Sequence, residues 1–220
     1  MMTDDNAMIS VLNLCGIPLP KQQRSFDTYH RILRSAQECV AEMGYSKTST
    51  QEVARRAEIS HGGLFKRFPT KVSLMACMVG YLEAQARREA AIRIPSHLHN
   101  SSTQDRVRFF IESYWRFVQT PQFKAIDEVW DESRTDEQLL DALRPIIKSD
   151  VIAGDLAFYF PELENGMAIQ FISQMVYSSL EYLSFNHGVG ADDQALPKMD
   201  LLVGMVCREI DSLRESATPR

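Results

Sequence analysis

Three helix starts follow one another between Thr48 and Lys71, and a stretch so densely punctuated has few ways to fold. Ser49-Thr-Gln-Glu52 has the S-x-x-E form, in which the serine hydroxyl accepts from a backbone N–H and the glutamate reaches back to the cap residue. The short helix it opens carries Val53, Ala54 and Ala57 on one side and Arg55 and Arg56 on the other, and it gives out at Glu58-Ile59. Ser60 is a second N-cap, opening His61-Gly-Gly-Leu-Phe-Lys-Arg-Phe68, where Leu64 and Phe68 stand four apart and face inward together. Pro69-Thr-Lys71 is the third start. Two short helices joined by a tight turn make a helix-turn-helix, whose second helix enters the DNA major groove. That groove is about 12 Å wide and admits an α-helix.

The charge distribution agrees with this layout. The chain as a whole carries −5, which taken alone argues against a polyanionic partner. Residues 20–71, however, hold ten Lys or Arg against five acids, a local +5, while residues 1–19 contribute −2 and residues 72–220 contribute −8. A basic module on an acidic body suits a protein that touches nucleic acid with one end only. Arg55, Arg56, Lys66 and Arg67 taken alone read as an ordinary solvated face; the helix pattern around them is what favours a DNA-facing role.

Upstream, Ile32, Leu33, Ala36, Val40 and Met43 recur at helical spacing from Phe26 to Met43, and Gly44 ends the helix. Downstream, helices are predicted over Val72 to about Ile94, Thr103–Gln119, Pro121 to about Ser133 behind a Thr120 cap, Gly166–Asn186 and Ala195–Glu215. Asp136 to about Phe160 reads as a helical stretch interrupted near Pro145. No strand is predicted. The expected fold is therefore all-α: an irregular extension over 1–25, a three-helix DNA-binding domain over 26–71, and a helical effector-binding and dimerisation domain over 72–220. No run approaches the roughly 18 apolar residues of a membrane span. The N-terminal segment is acidic and broken by Asn13, Gly16, Pro18 and Pro20, unlike a secretory signal, so the cytoplasm is the expected location.

The run Ile32-Leu33, Ala36, Gly44-Tyr45, Thr48-Ser49, Glu52-Val53-Ala54, Ala57, Ile59-Ser60, Gly62, Leu64-Phe65, Phe68-Pro69-Thr70-Lys71 and Leu74 resembles the DNA-binding domain of TetR-family (tetracycline-repressor-like) regulators. The resemblance spans residues 26 to 75. It implies nine or ten helices, a homodimer made by the last two long helices, a small-molecule cavity in the C-terminal domain and a double-stranded DNA operator as partner. It also implies phosphate contacts from Thr48 and Ser49, a recognition tip at Ser60, His61, Gly62 and Gly63, exposed Phe65 and Lys66 beside it, and a phosphate contact from Lys71. Three positions depart from the family pattern. Glu58 replaces a glycine at a turn position that favours positive φ, Phe65 replaces a tyrosine, and Gly63 replaces alanine or a small hydroxyl residue. Altered base preference and affinity are the expected result.

In the C-terminal half, aromatic residues crowd positions 109–130, and Tyr114, Trp115, Trp130 and Tyr177 are the candidates to line a cavity for a hydrophobic or aromatic effector. An aromatic stripe of this kind is more often plain core. Met167–Leu183 and Leu201–Ile210 are too apolar for lone surface helices, and two-fold pairing is the commonest remedy. His97 and His99 lack a neighbouring carboxylate or thiol and are not read as a metal site, and no cofactor motif or catalytic constellation is found. Cys15, Cys39, Cys77 and Cys207 are scattered; packing is the favoured reading over redox sensing. The expected function is a sequence-specific transcriptional regulator, a repressor released by a small ligand. The alternative is an all-helical ligand-binding protein or enzyme without DNA binding.

Overall fold

The computed structural model describes residues 4–93, 95, 97–147, 156–163, 166–188, 190 and 195–217, and among them the secondary structure is helical throughout. Ten α-helices occur in these residues: α1 (Asp4–Leu14), α2 (Gln23–Met43), α3 (Thr50–Arg56), α4 (His61–Phe65), α5 (Lys71–Arg93), α6 (Thr103–Val118), α7 (Pro121–Ser133), α8 (Glu137–Ile147), α9 (Met167–Gly188) and α10 (Ala195–Ala217). Short 3-10 turns cover Leu98–Asn100 and Leu156–Phe158.

The chain packs as two compact units, Met1–Glu89 with Thr120–Ala153, and Ala90–Gln119 with Gly154–Arg220. In the first, α2 buries Tyr29, Ile32, Leu33, Ala36, Cys39 and Val40 and packs chiefly against α7 and α3. Leu64 and Phe68 are both fully buried, as their four-residue spacing predicts, and the edge of Tyr29 meets the Phe68 ring at 5.5 Å. That contact ties the end of the recognition segment to α2.

The N-terminal segment differs from the irregular extension expected. Residues 4–14 form α1, which buries Ala7, Met8, Val11 and Leu12 at i, i+1, i+4 and i+5 spacing. The helix closes at Gly16, at φ 65°, with Gly16 N donating to Asn13 O (3.1 Å) and Ile17 N to Leu12 O (2.8 Å). These are the paired bonds of a Schellman C-cap. The polar Asp4-Asp5-Asn6 start and the nearby prolines mask so short an apolar stripe in the sequence.

Asp136 caps α8 by accepting from Leu139 N at 3.0 Å, and the helix runs through Pro145 to Ile147. The interruption predicted near Pro145 is therefore not at that residue, and positions 148–155 of the predicted stretch lie outside the described residues. The second unit packs α6 against α9 and α10 around Val107, Phe110, Ile111, Phe160, Val176, Leu180, Val203 and Ile210. Buried Arg106 stacks over Phe160 at 4.3 Å and donates to Glu162 at 2.9 Å, and Arg214 donates to the same carboxylate.

Candidate nucleic-acid interface

The second helix of the helix-turn-helix is assembled from its cap. Ser60 Oγ accepts from Gly63 N at 3.1 Å, closing the first turn of α4. A Cβ on Gly63 would stand 3.1 Å from that same oxygen, so the glycine gives the cap room that a side chain would crowd. A Cβ on Gly62 meets nothing within 4 Å, so the tip offers bare backbone to an approaching surface. His61 packs its ring edge-on to Phe65, 4.6 Å between centroids, and its Nε2 pairs with Thr50 Oγ1 at 3.1 Å. Phe65 is 39% exposed, a large apolar group held outward beside exposed Lys66. Ser60, His61, Gly62, Gly63, Phe65 and Lys66 thus gather on one end and flank of α4.

The first helix is held differently from the sequence expectation. Ser49 Oγ accepts from Glu52 N at 3.1 Å, but the Glu52 carboxylate turns to the arginines instead of back to Ser49. Arg55 donates to it twice, at 2.6 and 2.8 Å, and Arg56 once, at 2.9 Å, with a further Arg56 bond to Glu42 at 2.7 Å. Two guanidiniums give this carboxylate three charge-assisted bonds, two of them a bidentate pair from Arg55, where the cap offers a single N–H. The hydrogen bonds from Arg55 and Arg56 hold the Glu52 carboxyl down at about 2. Arg67 Nη1 donates to Gly63 O at 2.9 Å, so it braces α4 from within.

Two predicted phosphate ligands sit deeper than expected. Thr48 is only 2% exposed and donates its hydroxyl to Gly44 O at 2.8 Å, so it closes the turn after α2 and its side chain is withdrawn from the surface. Lys71 Nζ donates to Tyr45 O at 2.7 Å and lies 4.0 Å over the Tyr45 ring, and burial pulls its pKa down. One bond leaves an ammonium two more donors. Exposed Lys47, absent from the predicted set, adjoins Ser49 and is the cation the sequence reading passed over.

Glu58 adopts φ 54°, the one positive-φ non-glycine among the described residues. Glu58 N donates to Arg55 O (3.2 Å) and Ile59 N to Ala54 O (3.1 Å), the same Schellman pair that Gly16 makes at the end of α1. The turn between the two helices therefore keeps the geometry expected of a glycine there, with a glutamate in it.

The four ligand candidates do not share one unit. The Tyr114 and Tyr177 rings meet at 4.4 Å, tilted by 43°, Tyr114 donates to Glu181 at 2.7 Å, and Trp115 packs against the same core. Trp130 belongs to the first unit, on α7. Glu181 was missed in the sequence; its only signal is a lone carboxylate four residues after Tyr177 in a helix with no other Asp, Glu, Lys or Arg. Among the described residues no group of three or more His, Cys, Asp or Glu is placed to hold a metal ion. Among them, too, no helix is long and apolar enough to cross a membrane.

A capped, outward-facing second helix set against a first one by a tight turn is the geometry of a helix-turn-helix. Residues 32–77 match the profile of the bacterial regulatory proteins of the tetR family. The chain is similar to an uncharacterized HTH-type transcriptional regulator of Mycobacterium tuberculosis, with 38% identity over 66 residues, or 30% of this chain and 35% of that protein. An HTH-type transcriptional repressor of the same species is 25% identical over 122 residues, 54% of this chain and 61% of the relative. The matched part thus spans about a third to three-fifths of these relatives' lengths. The fold resembles transcriptional regulator FadR from Bacillus subtilis in complex with stearoyl-CoA (TM-score 0.57, 14% identity, 80% of this chain, 97% of that one). It also resembles a TetR transcriptional regulator from Rhodococcus sp. (TM-score 0.52, 15% identity, 89% of this chain, 100% of that one).

Proposed function

We propose that the chain is a DNA-binding transcriptional repressor that works as a homodimer and is released from its operator by a small hydrophobic or aromatic molecule. The observation that carries the reading is the α4 tip, where exposed His61, Gly62, Phe65 and Lys66 stand around a helix start locked by Ser60. Residues 26–71 are the DNA-binding part. Ser49 and Lys47 serve phosphates at the start of α3, and Lys66 serves bases or phosphates from α4. Lys71 contributes charge near the backbone from its perch on Tyr45.

A second recognition helix comes from a partner subunit. On α9, Met167, Phe171, Met175, Tyr182 and Phe185 are 47–85% exposed, and on α10 Leu201 and Met205 are 65% and 44% exposed. The α9 positions fall within one helical stripe. A two-fold pairing of this face removes that apolar surface from water and presents two recognition helices about 34–36 Å apart. In the second unit, Tyr114, Trp115 and Tyr177 are the residues proposed to meet the effector, with the Glu181 carboxylate as its polar anchor. The stearoyl-CoA in the similarly folded FadR supports an apolar effector class. Trp130 fits this role less well, since it sits on α7 in the other unit.

The test is footprinting of the purified protein on DNA flanking its own gene at low salt. Protection of a two-fold symmetric site, lost in Lys66→Ala and relieved by apolar compounds, is expected. Small-molecule binding with no duplex protection would refute the reading and favour the ligand-carrier alternative.

A further inference from the structure

Cys15 follows α1 directly and Cys77 lies inside α5. One turn along each helix, Val11 and Gly80 approach so closely that a Cβ on Gly80 would meet Val11 Cγ1 and Ile146 Cδ1 at 3.0 Å. The glycine lets α1 come close to α5 at this point. Val11 with Gly80 and Cys15 with Cys77 are successive rungs of that contact, and the two thiols are hydrogen-bonded to each other. Cys77 is fully buried, whereas Cys15 is partly exposed at the end of its helix. Cys39 is buried in α2 and Cys207 belongs to the second unit.

We propose that Cys15 and Cys77 form a peroxide-modifiable dithiol, in which Cys15 meets the oxidant and Cys77 resolves it as an intrasubunit disulfide. The Cys15 thiolate attacks the O–O bond of a hydroperoxide. Its sulfur becomes a sulfenic acid, and the leaving oxygen takes up a proton and departs as water, or as an alcohol for an organic peroxide. Cys77 then gives up its proton and attacks the Cys15 sulfur; the S–S bond forms and the sulfenic hydroxyl leaves as a second water. The two thiols lose two electrons and two protons, and the peroxide takes them. Burial pushes the Cys77 thiol well up, whereas its hydrogen bond to Cys15 holds the Cys15 thiol down. The more exposed sulfur is therefore the better attacking group and the buried one the resolving group. The bond encloses 61 intervening residues, which include the entire 26–71 segment.

Full-length reduced protein is titrated with hydrogen peroxide, unfolded in an alkylating reagent and mapped by mass spectrometry. The expected result is loss of two of the four alkylatable thiols, a peptide pair joining Cys15 to Cys77, unchanged subunit mobility on a non-reducing gel, and full recovery with a thiol reductant. Cys15→Ser and Cys77→Ser each abolish the linked peptide, and Cys39→Ser and Cys207→Ser do not. In Cys77→Ser, Cys15 stops at a sulfenic acid that dimedone traps. The wild-type map decides even where a variant fails to fold. Oxidation of Cys15 with Cys77 still alkylatable, or a link between subunits, overturns the proposal.

Discussion

Replacing Glu58 with glycine isolates one backbone angle in the turn that sets the recognition helix. A non-glycine residue in the left-handed region costs roughly 1–2 kcal/mol, and Glu58 sits there at φ 54°. Glycine removes that cost but loses about 0.4–1 kcal/mol through the greater freedom of the unfolded chain. The Arg31–Glu58 pair, at 3.9 Å with the glutamate side chain 83% exposed, adds almost nothing on the other side. Glu58→Gly should therefore stabilise the helix-turn-helix by about 0.5–1 kcal/mol, a two- to fivefold change in an opening equilibrium. Native-state hydrogen exchange of the Val53 to Leu64 amides reads that change locally, where a global melt would mix in the second unit. Exchange should slow by about two- to fivefold. Glu58→Ala, which loses the same carboxylate but keeps the strained angle, should show no slowing. Equal protection in both variants, or faster exchange in Glu58→Gly, would show that φ at this position carries no strain.

Lys66→Ala should weaken operator binding across sequences and make the dependence of log affinity on log salt shallower by about 1 per subunit; an unchanged slope in a salt titration rules out a phosphate contact. Phe171→Glu buries a charge at the proposed two-fold face and should weaken self-association by about 3 kcal/mol or more, over a hundredfold. Sedimentation equilibrium that shows an intact dimer would place the interface elsewhere. Burial acts to raise the Glu162 carboxyl, but hydrogen bonds from Arg106 and Arg214 outweigh it and hold it at about 2 against an ordinary 4.5. Because its folded pKa is depressed, its contribution is present above about 4.5 and is lost as pH falls toward about 2. Glu162→Gln should be less stable than wild type at neutral pH, with the gap in urea midpoint narrowing through that window; a gap that stays constant would contradict the ion-pair assignment.

The local signals in the sequence were dependable where the physics is local. Ser49, Ser60 and Thr120 cap the helices they precede, each accepting from the N–H three residues on. Leu64 and Phe68 point inward together, and Glu58 takes the positive φ that its glycine-like position demands. What stayed hidden depends on partners distant in sequence. Glu52 has a choice between one backbone N–H and two guanidiniums, and Glu42 on α2 orients the second of these. Thr48 reads as surface until Gly44 O takes its hydroxyl, and Lys71 reads as free until Tyr45 takes its ammonium. Helical periodicity shows that α7 has an apolar face but not that this face goes to α2, which is why Trp130 was grouped with aromatics of the other unit.

The long-range cover on α2 bears on how the protein is made. The turn leading into α3 is touched by α7, through Ser46 Oγ donating to Glu132 at 3.1 Å and through Glu128 beside Gly44. Those glutamates lie 84–86 residues further along the chain, so a nascent polypeptide emerging from the ribosome as far as Lys71 has α2 with its largest packing partner still unmade. The helix-turn-helix segment then completes its packing only once Pro121–Ser133 has been synthesised, and a gene fragment ending near residue 71 should yield a sticky, aggregation-prone peptide.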